Sequence, residues 1–303
     1  LAGTTLRNNN EEVIIGPDRA FISNLDDIPF PDRSLISYEK YINNDKQYFT
    51  TKNKPVGTMI SSRGCLFNCI FCSTKTMWRQ KWRARSPQNV VDEIAYLFNN
   101  YGVREIAFQD DQFIFDNQRV INICREIRNR GLKISFIVPS GISPSLLSEE
   151  AVNEMIVSGF YRIALSIDSG TEKSRRIINK PLKLGKLREL VRSLNKKGLW
   201  TYATFVIGFP DETKEDIQEA IDFAYSLRVD FLRFYIAQPY LGSELYNIYV
   251  KNGYLRTNNF QEMWEYFSIF DSFRGTRFIS KEELARLRDS AENSYLKIKI
   301  KKM

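Results

Sequence analysis

Val56-Gly57-Thr58-Met59-Ile60-Ser61-Ser62-Arg63-Gly64-Cys65-Leu66-Phe67-Asn68-Cys69-Ile70-Phe71-Cys72 reads as a short apolar strand running into a cysteine-bearing loop. Three of the chain's four cysteines fall within eight residues, spaced C-x3-C-x2-C. Thiolates this dense suit soft metals, either zinc or an iron–sulfur cluster. A structural zinc site takes four ligands, usually Cys and His, and the 303-residue chain has no histidine. The fourth cysteine, Cys124, lies far downstream in the apolar helical stretch Val120-Ile121-Asn122-Ile123-Cys124 and reads as a core residue. A cubane cluster on three cysteines leaves one iron open to a small molecule. The ligand count therefore favours an iron–sulfur cluster over a zinc site or a disulfide.

The pattern repeats outward from this stretch. Ser86-Pro87 opens a helix, with Ser as N-cap and Pro at the first helical position. Val90, Ile94, Leu97 and Phe98 recur at helical spacing, and Tyr101-Gly102 closes the run. Strand 104–108 follows, then a helix over 120–130 that stops at Gly131. Strand 133–138 precedes a helix opened by Ser148-Glu149-Glu150 and ended at Gly159. Strand 161–167, helix 186–197, strand 200–207, helix 213–227 and strand 230–236 complete the series. Six strand–helix alternations are the signature of a parallel α/β sheet, with right-handed crossovers. Whether the sheet stays open or curls into a barrel, ligands bind at the carboxyl ends of its strands. The cysteine loop lies at such an end. So do Gln109-Asp110-Asp111, Ser140-Gly141, Asp168-Ser169-Gly170, Gly208-Phe209-Pro210 and Gln238-Pro239.

Composition bounds the function. With 43% hydrophobic and 26% charged residues the chain is an ordinary globular protein. No apolar run approaches the roughly 18 residues of a membrane-spanning helix. Thiols kept for a metal imply a reducing compartment, so a cytoplasmic location is expected. The absence of histidine excludes imidazole as base or ligand, and with it Ser/His and Cys/His nucleophile pairs. The net charge of +8 reads first as a lysine-rich surface. Arg63, Lys75, Arg79, Lys81, Arg83 and Arg85 flank the cysteine loop, with Trp78 and Trp82 between them. They read as a solvated or redox-partner face, or as a site for an anionic substrate. Residues 1–54 read as an irregular lead-in with one short strand at Glu12-Val13-Ile14-Ile15 and a rigid Ile28-Pro29-Phe30-Pro31 segment. Residues 241–303 read as a helical, aromatic-rich extension capping the site, with Tyr246, Tyr249, Tyr254, Phe260, Trp264, Tyr266, Phe267, Phe270 and Phe273. The basic tail from Lys297 reads as a frayed end.

The cysteine spacing on the first strand–helix loop, the aromatic Phe71 before the third cysteine and the six βα units together resemble the radical S-adenosylmethionine superfamily. The resemblance covers residues 55–240 and implies a partial (βα)6 parallel barrel. It also implies a 4Fe–4S cluster on Cys65, Cys69 and Cys72, whose open iron chelates S-adenosylmethionine. Reductive cleavage then gives a 5′-deoxyadenosyl radical. By the same resemblance Asp110 and Asp111 contact the methionine amino group, in place of the usual Gly-Gly-Glu. Ser140, Asp168 and Ser169 fall at polar contacts, and Phe71, Val206 and Gly208 at the cofactor's flat surfaces.

Phe108-Gln109-Asp110-Asp111-Gln112-Phe113, Ile207-Gly208-Phe209-Pro210-Asp211-Glu212-Thr213 and the lead-in Asn24-Leu25-Asp26-Asp27-Ile28-Pro29-Phe30-Pro31 resemble the cobalamin-associated subgroup. In that subgroup a cobalamin-binding domain precedes the lead-in. Residues 1–54 are too few for one, and the chain begins at Leu1, so such a domain is expected on a longer form, on another chain, or lost. The expected reaction is methylation or another radical C–C bond formation on a small-molecule, lipid or peptide substrate. A flavodoxin- or ferredoxin-type protein is the expected electron donor, and nucleic acid is not an expected partner. The alternatives are a cobalamin-independent cyclase, mutase or dehydrogenase, or a non-catalytic iron–sulfur or zinc module.

Overall fold

The computed structural model describes residues 2–44, 50–255 and 274–300. The lead-in opens with an antiparallel hairpin of β1 (Thr5–Arg7) and β2 (Val13–Ile15), followed by the short helix α1 (Tyr38–Ile42). Strand β3 (Val56–Met59) leads to β4 (Ser62–Arg63), the cysteine loop, α2 (Thr74–Trp78) and β5 (Arg83–Ala84). Regular alternation follows: α3 (Pro87–Tyr101), β6 (Glu105–Phe108), α4 (Asn117–Asn129), β7 (Ser135–Ile142), α5 (Glu149–Val157) and β8 (Phe160–Asp168). Then come α6 (Glu172–Ile178), α7 (Leu184–Lys196), β9 (Trp200–Ile207), α8 (Lys214–Leu227), β10 (Phe231–Ile236), α9 (Glu244–Lys251) and α10 (Lys281–Ile300). No described helix is long and apolar enough to cross a membrane.

Six strands form one wholly parallel sheet in the order β10-β9-β8-β7-β6-β3. Each strand lies beside its predecessor. Right-handed crossovers repeated in one direction put every crossover helix on the same face. The sheet therefore curls with its helices outside, and β3 and β10 do not pair. This is the expected α/β partial barrel. The convex face carries the main core. Phe108, Phe113, Phe136 and Phe160 are fully or nearly fully buried there, with ring centroids between 4.7 and 6.1 Å apart. Each such side chain contributes about 1.5–3 kcal/mol by burial. The opposite face carries a smaller cluster of Val56, Ala107 and Ile137, with Tyr161 packed against it.

Caps fix several ends as expected. The Ser86 hydroxyl accepts the Asn89 amide at 3.1 Å, and Thr213 and Asp216 form a capping box on α8. Helix α4 starts a turn earlier than its apolar run, because Asp116 accepts the Arg119 amide at 3.1 Å. Strands β7 and β8 run on to Ile142 and Asp168, past the residues their apolar runs mark. Helices α2 and α6 carry no recognisable apolar period and were not legible.

Polar side chains close the amino end of the barrel. The Glu105 carboxylate accepts the amides of Lys52 and Asn53 at 2.9 Å and the Tyr161 hydroxyl at 2.8 Å. The Arg162 guanidinium donates to the carbonyl and hydroxyl of Thr50 at 2.5 and 2.7 Å. A floor sealed in this way leaves the carboxyl end as the working mouth. The two free sheet edges are also covered. Along β10 runs α10, whose Glu292 accepts the Phe234 amide at 2.7 Å and the Arg233 guanidinium at 2.8 Å. A paired edge amide cannot template further strands. Of the C-terminal extension, α10 covers this edge and α9 covers the cysteine loop. Phe260, Trp264, Tyr266, Phe267, Phe270 and Phe273 lie outside the described residues. The lead-in covers the β3 side, held by Asp26, which accepts the Ser86 amide at 2.8 Å, and by the buried Arg33–Glu93 pair at 2.6 Å.

Candidate functional site

The hairpin of β4 and β5 brackets the cysteine loop and anchors it at the carboxyl end of β3. Its root is Asp110, which is fully buried at the end of β6. The Asp110 carboxylate accepts the Ser61 amide at 3.1 Å, the Ser61 hydroxyl at 2.8 Å and the Ser62 hydroxyl at 2.5 Å. Burial pushes this carboxyl's pKa up, opposed by the serine hydrogen bonds. Next to it, Asp111 accepts the Gly64 amide at 2.8 Å and stays exposed. Gly64 has φ +93°, and a Cβ there would meet the Lys81 carbonyl at 1.9 Å. Only glycine fits where the chain turns into Cys65.

Cys69 is buried, and Cys65 and Cys72 are half-buried. Burial pushes the Cys69 thiol up to about 12 and raises Cys65 as well. Lys180 works the other way, its positive charge favouring thiolate at both. The three thiols are close enough that charge on Cys72 opposes charge on Cys65 and Cys69. Among the described residues, no three Cys, Asp or Glu side chains are gathered tightly enough to hold one metal ion. A multinuclear cluster, taking one thiolate per iron, draws on ligands set further apart. Three neighbouring thiols on one loop fit such a cluster, because metal binding takes deprotonated sulfur; Asp168, the ion-pair partner of Lys180, opposes charge on Cys69. Cys124 is fully buried on α4, its thiol pushed up to about 12 by burial, as a core residue should be.

The other expected contacts divide into two groups. Phe71 and Val206 meet in one apolar cluster with Ile70, Phe209 and Tyr249, and the Phe71 and Phe209 ring centroids are 6.1 Å apart. Gly208, at φ +85°, leaves room for Leu284, which a Cβ would meet at 2.5 Å. Ser140 is exposed at the rim and donates to the Phe108 carbonyl at 3.2 Å. Asp110, Asp168 and Ser169 are instead engaged inside the protein. Asp168 sits in the left-handed region at φ +62° and is ion-paired with the buried Lys180, which also donates to the Ser166 carbonyl at 2.6 Å. The Ser169 hydroxyl donates to the Thr171 carbonyl at 2.9 Å.

Two important residues escaped the sequence reading. Lys180 follows the short α6, outside any motif, and only the fold brings it to the thiols. Glu212 is buried and accepts the amides of Gly208 and Phe209 at 2.7 and 3.0 Å, along with the Ser174 hydroxyl. It fixes the turn after β9, and burial raises its pKa. The basic stretch around the loop is mostly engaged. Arg85 pairs with Glu93, Arg79 pairs with Asp18 at 2.6 Å, and the Trp82 indole donates to the Gln112 carbonyl at 3.0 Å.

A partial parallel barrel with a thiol-bearing loop at its first carboxyl end defines a class of cluster-binding α/β proteins. The Radical SAM superfamily matches residues 59–224, and the chain belongs to that family of enzymes, which use a 4Fe–4S cluster and S-adenosylmethionine. It is 32% identical to an uncharacterised methyltransferase of Pyrococcus horikoshii over 292 residues, 96% of this chain and 61% of that protein. It is 32% identical to cytidylyl-2-hydroxyethylphosphonate methyltransferase of Streptomyces wedmorensis over 248 residues, 79% of this chain and 46% of that protein. The fold is similar to the cobalamin-dependent S-adenosylmethionine radical enzyme OxsB, with TM-score 0.62 and 17% identity, over 96% of this chain and 42% of OxsB. The chain thus spans between 46% and 61% of the length of these two curated relatives.

Proposed function

We propose that Cys65, Cys69 and Cys72 hold a 4Fe–4S cluster, and that the chain reductively cleaves S-adenosylmethionine there to methylate, or otherwise form a C–C bond on, a small-molecule, lipid or peptide substrate. The observation that carries this reading is the cysteine loop, rooted on Asp110 and faced by Lys180 at the mouth of the barrel. A cluster held by these three cysteines would supply the one-electron reduction needed to cleave the sulfonium C–S bond of S-adenosylmethionine.

The chain's own residues orient and shield. Asp111 and Ser140 are exposed at the rim and offer oxygen acceptors to the cofactor's ammonium group. Phe71 and Val206 supply an apolar bed for the adenine, with the buried Phe209 packed behind them, and Gly208 keeps the turn after β9 clear of Leu284. Asp110, Asp168 and Ser169 act one step back, by holding the loop, Lys180 and the α6 cap in place. The methyltransferase names of both curated relatives support methylation. The likeness to the cobalamin-dependent OxsB supports an association with cobalamin through a domain not in this chain. A flavodoxin- or ferredoxin-type electron donor belongs to the same reading.

Anaerobic reconstitution tests the reading. About four irons and four sulfides per chain are expected, with 5′-deoxyadenosine formed from S-adenosylmethionine under dithionite. Ala at Cys65, Cys69 or Cys72 should abolish both. One zinc per chain with no sulfide would overturn the proposal.

A further inference from the structure

Beside the cysteine rim, between the lead-in and β3, lies a cavity of about 680 Å³. Its size is that of a small-molecule site, and so is its make-up of apolar walls with a few convergent polar groups. The lead-in supplies Ile28, Pro29, Phe30 and Ile36 to the wall, and the end of β3 supplies Ile60. Ile36 and Ile60 remain 50% and 52% exposed, so an occupant would take apolar surface out of water.

The net charge of the cavity lining is positive. Arg33 and Arg85 both pair with the single carboxylate of Glu93, so the triad carries one net positive charge. Arg63, also in the lining, adds a second. Ser62 also lines the cavity, and its hydroxyl is bonded to Asp110 at the root of the cysteine loop. An occupant would therefore lie against the segment that carries Cys65.

We propose that this cavity is a binding site for a small molecule with an apolar body and one anionic group, carboxylate or phosphate. Its role as the substrate site rests on the function proposed above; the binding itself does not. The anionic group sits against Arg63 and the triad, and the apolar body covers Ile36 and Ile60.

Titration calorimetry of the full chain below micelle concentrations tests this with three probes of equal chain length: dodecanoate, dodecyl phosphate and dodecyltrimethylammonium. At least one anionic probe should bind with one-to-one stoichiometry and at least ten-fold more tightly than the cation, and the better of the two tells carboxylate from phosphate. Ile60→Glu, a change at a half-exposed position, should weaken that anion at least ten-fold without moving the thermal midpoint. Arg63→Gln should reduce the anion-over-cation preference several-fold. Equal binding of the cation, or unchanged anion binding in Ile60→Glu, would overturn the proposal. Formation of 5′-deoxyadenosine by the same preparations reports separately on the radical chemistry.

Discussion

Asp110 and Glu212 are buried carboxylates that hold the chain around them by accepting its amides and hydroxyls. Asp110 is satisfied by two serines, so its removal strands buried donors. Asp110→Ala should cost about 3 kcal/mol, read as a lower urea midpoint, and should lower iron retained after reconstitution. A residue that only contacted cofactor would leave the urea midpoint unchanged. Glu212 tests the pH linkage. Its folded pKa is raised above the ordinary 4.5 by burial. Stability from this group is therefore fully present below about 4.5 and is lost as pH rises through the raised folded value. Glu212→Gln removes the titration, so the gap in urea midpoint between variant and parent should shift in the variant's favour as pH climbs from 4.5. A gap that stays constant over that range would show that burial does not raise Glu212.

At the scale of elements, the cysteine loop depends on a turn that has no room for a side chain. Gly64→Ala meets a backbone carbonyl and a left-handed φ, which together should cost about 3 kcal/mol. Reconstituted iron per chain should fall with it, while the far-UV signature of the barrel stays. Helix α10 guards the β10 edge through Glu292. Glu292→Ala frees the Phe234 amide and removes one partner of Arg233, with an expected loss of about 1–2 kcal/mol. Hydrogen exchange should speed up at Phe234 and its α10 neighbours but not at β6.

For the whole molecule, the barrel floor and the edge covers leave one mouth, and that mouth holds three thiols. A cluster that binds only the folded chain must stabilise it by mass action. Anaerobic reconstitution should raise the thermal midpoint of the parent by several degrees, and the Cys65→Ala, Cys69→Ala, Cys72→Ala variant should show no such rise. An equal rise in that variant would place the iron elsewhere.

The spacing of Cys65, Cys69 and Cys72, the absent histidine and the alternation of apolar strands with capped helices made the class and the fold legible from sequence alone, and made the three cysteines the proposed ligands. Those signals are local: a cap, a period or a spacing lies within a few residues. The partners of Asp110, Asp168 and Lys180 are not local. Asp110 meets Ser61 and Ser62 from 49 and 48 residues away. Lys180 reaches the thiols only because β8 ends beside the cysteine loop. Which carboxylates stay exposed at the mouth and which hold the scaffold is decided by burial, and burial exists only once the sheet has curled.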